Sequence, residues 1–580
     1  MPLRAAECMA VRGQDEFLNL PFQEKLEFLY GLPARQKRDL ILAAPEAERL
    51  VQSFSPETLF YTVKEIGSAD AGDLLSLALP EQVKSLFDLD CWDKDRPNLA
   101  RMREWLEALS EGGRSRMAQG LMELDLELVS ILLRDYIKVH LLDDPASSPD
   151  APSNRYVQFD EHYLIEFVRQ DHITQLISDF IEEAFERDYK YFAGLMDECY
   201  WGVKAELEEA AYQFRRARLN DRGFPDYYEA QDVFAYVNPR SFLDIRAQYV
   251  APSRAELLDD SELVPPGSAP MIAGADNSLL NTALTAGFAA EGRRQLRSEM
   301  AMVSNQVLVA RSIDFGDLDA VRIAVELTHN YLNLGLESLA GGDLQSAIEH
   351  LRDTHLKLLF RLGVSLTIDL RKRAEATTRM LGIPQQRPRE ISYLDSPYRD
   401  ALAGFIEPMP RFYSALDRGG AVELRAFQTI RDLHLSYAIL DQIDAMAELF
   451  RSLLAIDISS ARFRGAVANR DIRLSQILTT ALVRNFMDGR LQAEPLVASE
   501  LDAMRAAIVI KNGGPSVLSH AFRESVETAI DTHLDETAAK RTFDFVNSCL
   551  NQLEEEFAGL SVNYPIDSRF IESVLVKRSV

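Results

Sequence analysis

Four arginines, Arg215, Arg216, Arg218 and Arg222, crowd a short stretch of a chain that is otherwise acidic. Guanidinium forks grip carboxylates and phosphates at two points, so this density is what a site for a phosphorylated or other anionic small molecule needs. The same residues also suit the end of a helix. Positive charge complements the C-terminal dipole, Gly223 offers a left-handed cap, Phe224 the apolar contact that accompanies it, and Pro225 the stop. Two readings therefore stand side by side: capping with salt bridges to other segments, and an anion site.

A second constellation is Glu326-Leu-Thr-His329, whose i, i+3 spacing places both side chains on one helix face. Carboxylate-bridged metal bundles use such a pair twice, with two further glutamates, and the second copy is missing here. His350 and His355, five residues apart in AIEHLRDTHLKLL, point to different faces. A metal at Glu326 and His329 is thus weighed against a polar helix surface or a hydrogen-bonded interior histidine. Cys8, Cys91, Cys199 and Cys549 are scattered, with no CxxC pair, so neither a zinc knuckle nor a disulfide framework is expected. No nucleophile elbow, dinucleotide-binding turn or phosphate loop is recognisable, and Gly341-Gly342-Asp343 and Gly513-Gly514-Pro515 read as turns. No cofactor is expected, and the balance leans away from an enzyme.

These side chains must be positioned by helices. Pro33, Pro45, Pro56 and Pro80 set a beat near the N-terminus, three of them followed by Glu, as at the starts of short helices. From Phe22 to Leu142 apolar residues recur at three- and four-residue spacing, in helices too short to be stable alone. Such helices must bury their stripes on one another, as stacked repeats do. Gly67 is expected to close PETLFYTVKEI as a left-handed cap, and Trp92 and Trp105, in and after the CWDKDRPNLA insertion, to anchor core. Beyond the linker DDPASSPDAPSN at 143–154, RYVQFDEHYLIEFV alternates, with Tyr156, Phe159, Tyr163, Ile165 and Phe167 on one face of a small hairpin near 155–168; a helix start is the alternative. Loop-rich breaks follow at 251–274, in IPQQRPREISYLDSPYRD, and in KNGGPS at 511–516. The expected fold is predominantly all-α: a short-helix superhelical repeat module at 20–142, then helical domains at 155–250, 275–381 and 400–580.

Ninety acidic against 63 basic residues leave a formal charge of -27, which repels nucleic-acid phosphates and anionic lipid. The most apolar stretch, 271–290, carries Asp276, Asn277 and Asn281, so no membrane insertion is expected. The N-terminus lacks an apolar signal core, which points to the cytoplasm.

Helices opening at Leu-Pro-Glu steps, as in LPEQVKSLF, resemble the superhelical N-terminal domain of MgtE-type magnesium transporters over about 20–142. Magnesium binding does not follow, because the transporter's membrane and sensor domains have no counterpart here. Nearly the whole chain resembles an uncharacterised bacterial family known as a domain of unknown function. VKEIG with LPEQVKSLFDLDCW, RLNDRGFPDYYEA, YLNLGLESLAGGD and LDSPYRDALAGF carry that resemblance, which implies no activity and no site residues. The leading expectation is a helical scaffold or regulatory protein whose repeat surface binds a protein partner. The alternative is an enzyme or sensor holding an anion at the arginine cluster.

Overall fold

Pro56 and Pro80 each stand in the first turn of a helix, where the missing N–H is not needed, and Pro33 is the residue before another. A computed structural model describes residues 17–30, 32–143, 155–248, 278–383, 391–417, 422–468, 472–510, 516–558 and 566–577. The structure is 70% helical, with a few short antiparallel sheets, so the protein is predominantly all-α. The linker at 143–154 lies, but for its first residue, outside the described residues, as do the 251–274 stretch, Cys8 and Gly513-Gly514-Pro515.

The chain divides into two compact units, Met1–Ala235 with Ser241–Leu332 and Leu339–Arg361, and Tyr236–Arg240 with Asn333–Ser338 and Leu362–Val580. The first begins with short helices: α1 (Phe22–Tyr30), α2 (Ala34–Ala43), α3 (Ala47–Gln52), α4 (Pro56–Ile66), α5 (Gly72–Leu75), α6 (Pro80–Asp90), α7 (Leu99–Ser110), α8 (Arg114–Glu123) and α9 (Leu126–Leu133). Their packing alternates, α2 on α4, α4 on α6 and α6 on α8, which is how two- and three-turn helices find the partners that their length demands. Leu59, Phe60, Leu86, Phe87, Met102, Trp105 and Leu106 are all buried there. Each such side chain contributes about 1.5–3 kcal/mol by leaving water. Gly67 has the positive φ that favours glycine, at +102°, but with ψ 134° its backbone is extended and not the left-handed helical cap expected.

Strands interrupt the helices where β-branched and aromatic residues alternate. The insertion forms a two-residue hairpin, β1 (Trp92–Asp93) with β2 (Arg96–Pro97). Ile137–Leu141, within the stretch read as helical, is strand β3, because Ile137 and Val139 alternate with Lys138 and His140 and need a pleated surface. The expected hairpin is present as β4 (Tyr156–Gln158) and β5 (Tyr163–Phe167), and the sheet order is β3-β5-β4, all antiparallel. Register corrects one expected face: Val157 stands opposite Ile165, so Tyr156, opposite Glu166, lies on the other side, edge-on to His140.

Three longer helices follow, α10 (His172–Arg187), α11 (Tyr189–Trp201) and α12 (Lys204–Asp221), of which α11 and α12 both pack on α9. Later in the unit come α13 (Leu279–Gly287), α14 (Ala290–Ala310) and the Leu318–Leu332 part of α15 (Leu318–Ala340). The second unit is built around α16 (Ile430–Leu454), α17 (Leu474–Asp488), α18 (Leu501–Ile508), α19 (His520–His533) and α20 (Glu536–Ala558), with α20 packed on α16 and α17.

Candidate functional site

The arginine cluster arrives on the last turns of α12, held against α9. The helix closes as its sequence implies: Gly223 has φ +80°, its N–H donates to the Asn220 carbonyl at 3.0 Å, and the Phe224 N–H reaches the Leu219 carbonyl at 2.9 Å. Phe224 is buried against Phe315, with ring centroids 5.1 Å apart.

Arg218 is the centre of the arrangement. Its Nε and Nη2 donate to Asp88 at 2.7 and 2.8 Å, and its Nη1 and Nη2 to Asp125 at 3.0 and 2.7 Å. The two carboxylates sit in opposite settings. Asp125 precedes α9, at the positive end of a helix, and is shared with Lys84 Nζ at 3.1 Å. Asp88 lies in the last turn of α6, where the dipole disfavours an anion, and its side chain is only 1% exposed. Burial raises the Asp88 carboxyl, opposed by Arg218. Loss of water lowers Arg218, but its bonds to Asp88 and Asp125 outweigh that and raise it on balance.

Arg215 finds a different environment. Its Nε donates to the main-chain carbonyl of Asp88 at 2.7 Å, its Nη1 to that of Lys94 at 3.4 Å, and its guanidinium lies 5.0 Å from the Trp92 ring centroid. Burial pulls its pKa down to about 10, against the attraction of Asp88. Arg216 is half-exposed and pairs with Asp226 at 3.2 Å. Arg222 Nη1 is buried with no hydrogen-bond partner among the described residues. The helix end thus brings Arg215 and Arg218 together around Asp88 and leaves Arg216 and Arg222 apart from that pair.

Asp90, two residues on from Asp88 and on the opposite side of α6, repeats the pattern. Lys64 Nζ lies at 3.0 Å, Arg101 Nη1 at 3.4 Å and Trp105 Nε1 donates at 2.8 Å to a carboxylate that is itself 1% exposed. Arg101 also forks onto Asp314, whose carboxyl it holds below the usual range. Close approach explains Gly316 in this loop: a Cβ there would stand 2.5 Å from Asp90 Oδ1. Sequence reasoning passed over Asp88, Asp90 and Asp125. The signal was two carboxylates, Asp88-Leu-Asp90, interleaved with Phe87 and Leu89 at the negative end of a helix, a position that requires cations from elsewhere.

The second constellation is split by burial. Glu326 is exposed on α15, whereas His329 is 1% exposed, with Nε2 at 3.3 Å from Asn281 Oδ1 and 3.4 Å from Ser278 Oγ. Its Nδ1 has no hydrogen-bond partner among the described residues, and burial lowers its pKa. His350 Nδ1 faces Arg246 at 3.0 Å. Among the described residues no three His, Cys, Asp or Glu side chains converge as a metal site would require. Cys91, Cys199 and Cys549 are buried, and burial pushes the Cys199 thiol up to about 12, far from a reactive thiolate. No described helix is long and apolar enough to cross a membrane.

What these groups can do is clamp: buried carboxylates at one helix end collect cations from α4, α7 and α12, segments far apart in sequence. No curated protein and no solved structure matches the chain. A family model does, over residues 14–577, and α6, the arginine helix end and the α15 face all fall within that match, so the chain belongs to the family of unknown function DUF6178.

Proposed function

We propose that the protein is a cytoplasmic helical scaffold or regulatory protein that binds a protein partner through its N-terminal short-helix array. The alternating packing of α2, α4, α6 and α8 supports reading this array as a superhelical repeat like the MgtE-type N-terminal domain. The observation that carries the proposal is an open depression of about 560 Å³ on the array, lined by Arg35, Arg38, Asp39, Asp70, Asp73 and Glu111. Arg38 is already paired with Asp73, Nε to Oδ2 at 2.9 Å, so the unpaired balance facing outward is acidic and suits a partner segment rich in lysine or arginine. The ion pairs at Asp88 and Asp90 support the reading by tying α4, α6, α7 and α12 together, which stiffens the array that carries the depression.

A photo-crosslinking residue at Asp70 should trap a discrete protein in cells, and Glu111→Lys should abolish the product. Cross-links that are equally abundant from a control position such as Glu524, or indifferent to Glu111→Lys, would sink the proposal. One observation favours the second reading, an anion sensor at Arg215, Arg216, Arg218 and Arg222: the unpartnered Nη1 of Arg222. Phosphate or nucleotide raising the melting temperature of the wild type, and not of Arg222→Ala, would favour it over the scaffold.

A further inference from the structure

In the second unit an open depression of about 480 Å³ runs beside α19, with Asn485 near the end of α17 and Leu491 just beyond it as the facing wall. Ala521, Ser525, Thr528 and Thr532 recur at three- and four-residue spacing, so one stripe of α19 lines it. Glu524 stands toward one end of that stripe and His533 at the other, with the aliphatic groups of Ala529 and Leu491 between them. At 1.5 Å per residue the distance along the helix from Glu524 to Thr532 is about 12 Å.

Local hydrogen bonds decide what these polar groups offer. Thr528 Oγ1 donates to the Glu524 carbonyl at 2.8 Å and Thr532 Oγ1 to the Thr528 carbonyl at 2.6 Å, so each hydroxyl has committed its single hydrogen to the helix and keeps lone pairs alone for a ligand. His533 Nδ1 lies 2.8 Å from the Ala529 carbonyl, which can only accept. The proton is therefore on Nδ1, and neutral His533 keeps Nε2 as an acceptor. Glu524 adds a carboxylate whose side chain is 70% exposed and lies 3.7 Å from His520 Nδ1. Among the described residues that line the depression there is no lysine or arginine, and Arg523, the one arginine of α19, is engaged by Glu554 at 2.6 Å. The wall accepts hydrogen bonds and carries uncompensated negative charge. Phosphates and carboxylates would meet lone pairs and Glu524, whereas a cation rich in N–H donors meets its complement.

We propose that this depression is a binding site for an aliphatic polyamine, with one ammonium group at Glu524, another toward Thr532 and His533, and the methylenes along Ala529 and Leu491. Donors set apart along a chain with an apolar middle are what the order of these groups requires. The site is independent of the array and of the arginine cluster.

The test is calorimetric titration of the full chain with spermidine at about 0.15 M salt, where long-range attraction to an acidic surface is largely screened. One saturable site is expected. Glu524→Gln should weaken it about tenfold, the scale of one hydrogen bond to a charged group, and Thr528→Val, which keeps the shape and removes the lone pairs, several-fold. Glu527→Gln removes the same charge from a position of α19 that does not line the depression, and should leave the affinity unchanged. Glu524, Glu527 and Thr528 are all exposed, so the variants keep the fold, which equal melting temperatures would verify. Failure to saturate, equal losses from Glu524→Gln and Glu527→Gln, or indifference to Thr528→Val overturns the proposal, since net charge alone would then account for any binding.

Discussion

At the end of α12, functional-looking side chains meet their opposites; on α15 they are separated from each other. Arg218 reaches two carboxylates from α6 and the start of α9, whereas Glu326 turns to water and His329, three residues on along the same helix, turns into the core. Both clusters are dense in chemistry along the chain. The difference teaches that a charged side chain is defined by what other elements bring to it: buried ions persist where counter-ions arrive, and a buried titratable group without one is held neutral.

Breaking the Asp88–Arg218–Asp125 clamp should have the largest effect. Arg218→Ala leaves Asp88 buried without its fork and is expected to destabilise by about 3 kcal/mol, measured by urea unfolding of the first unit's transition. Restoration by an added Asp88→Asn would assign the loss to the stranded charge.

Arg215 sharpens the contrast, since its bonds go to main-chain carbonyls and an aromatic ring. Arg215→Met keeps the packing on Trp92 and removes a guanidinium that burial already disfavours, so a loss of about 1 kcal/mol is expected. A loss as large as that of Arg218→Ala would show that Arg215, too, neutralises Asp88.

His329 gives a smaller, pH-dependent effect. Its folded pKa lies below its unfolded one, so the unfolded state binds more protons as pH falls through the unfolded value near 6.5. Its contribution is fully present above that pH and is lost as pH drops toward the folded value. His329→Gln should flatten the melting temperature between pH 7 and pH 5, and an unchanged slope would mean that another group sets it.

Arg216 should matter least. Its pair with Asp226 is half-exposed, so Arg216→Ala is expected to change stability by about 0.5 kcal/mol or less. A larger effect would mean that the whole helix end, and not Arg218 alone, holds the structure.

Local rules in the sequence determined the helices: prolines at first turns, apolar spacing, and the Gly223-Phe224-Pro225 closure of α12, all of which depend on neighbours within a turn or two. The β4–β5 hairpin was legible because alternation is local as well. β3 was not, since Ile137–Leu141 becomes a strand by pairing with β5 across the 143–154 linker. The site divides along the same line. The arginines could be read as a group, and so could their place at a helix end. Which of them met carboxylates depended on Asp88 and Asp125, which lie 130 and 93 residues away. The segment at 571–577 was unreadable for a related reason: its order comes from Gln476, Thr480, Leu496 and Glu556, and a bent segment held by side chains and a single bridge leaves no periodic trace. Backbone preference acts over a few residues and is written in them, whereas charge compensation and main-chain satisfaction act through space and exist only once the chain has folded.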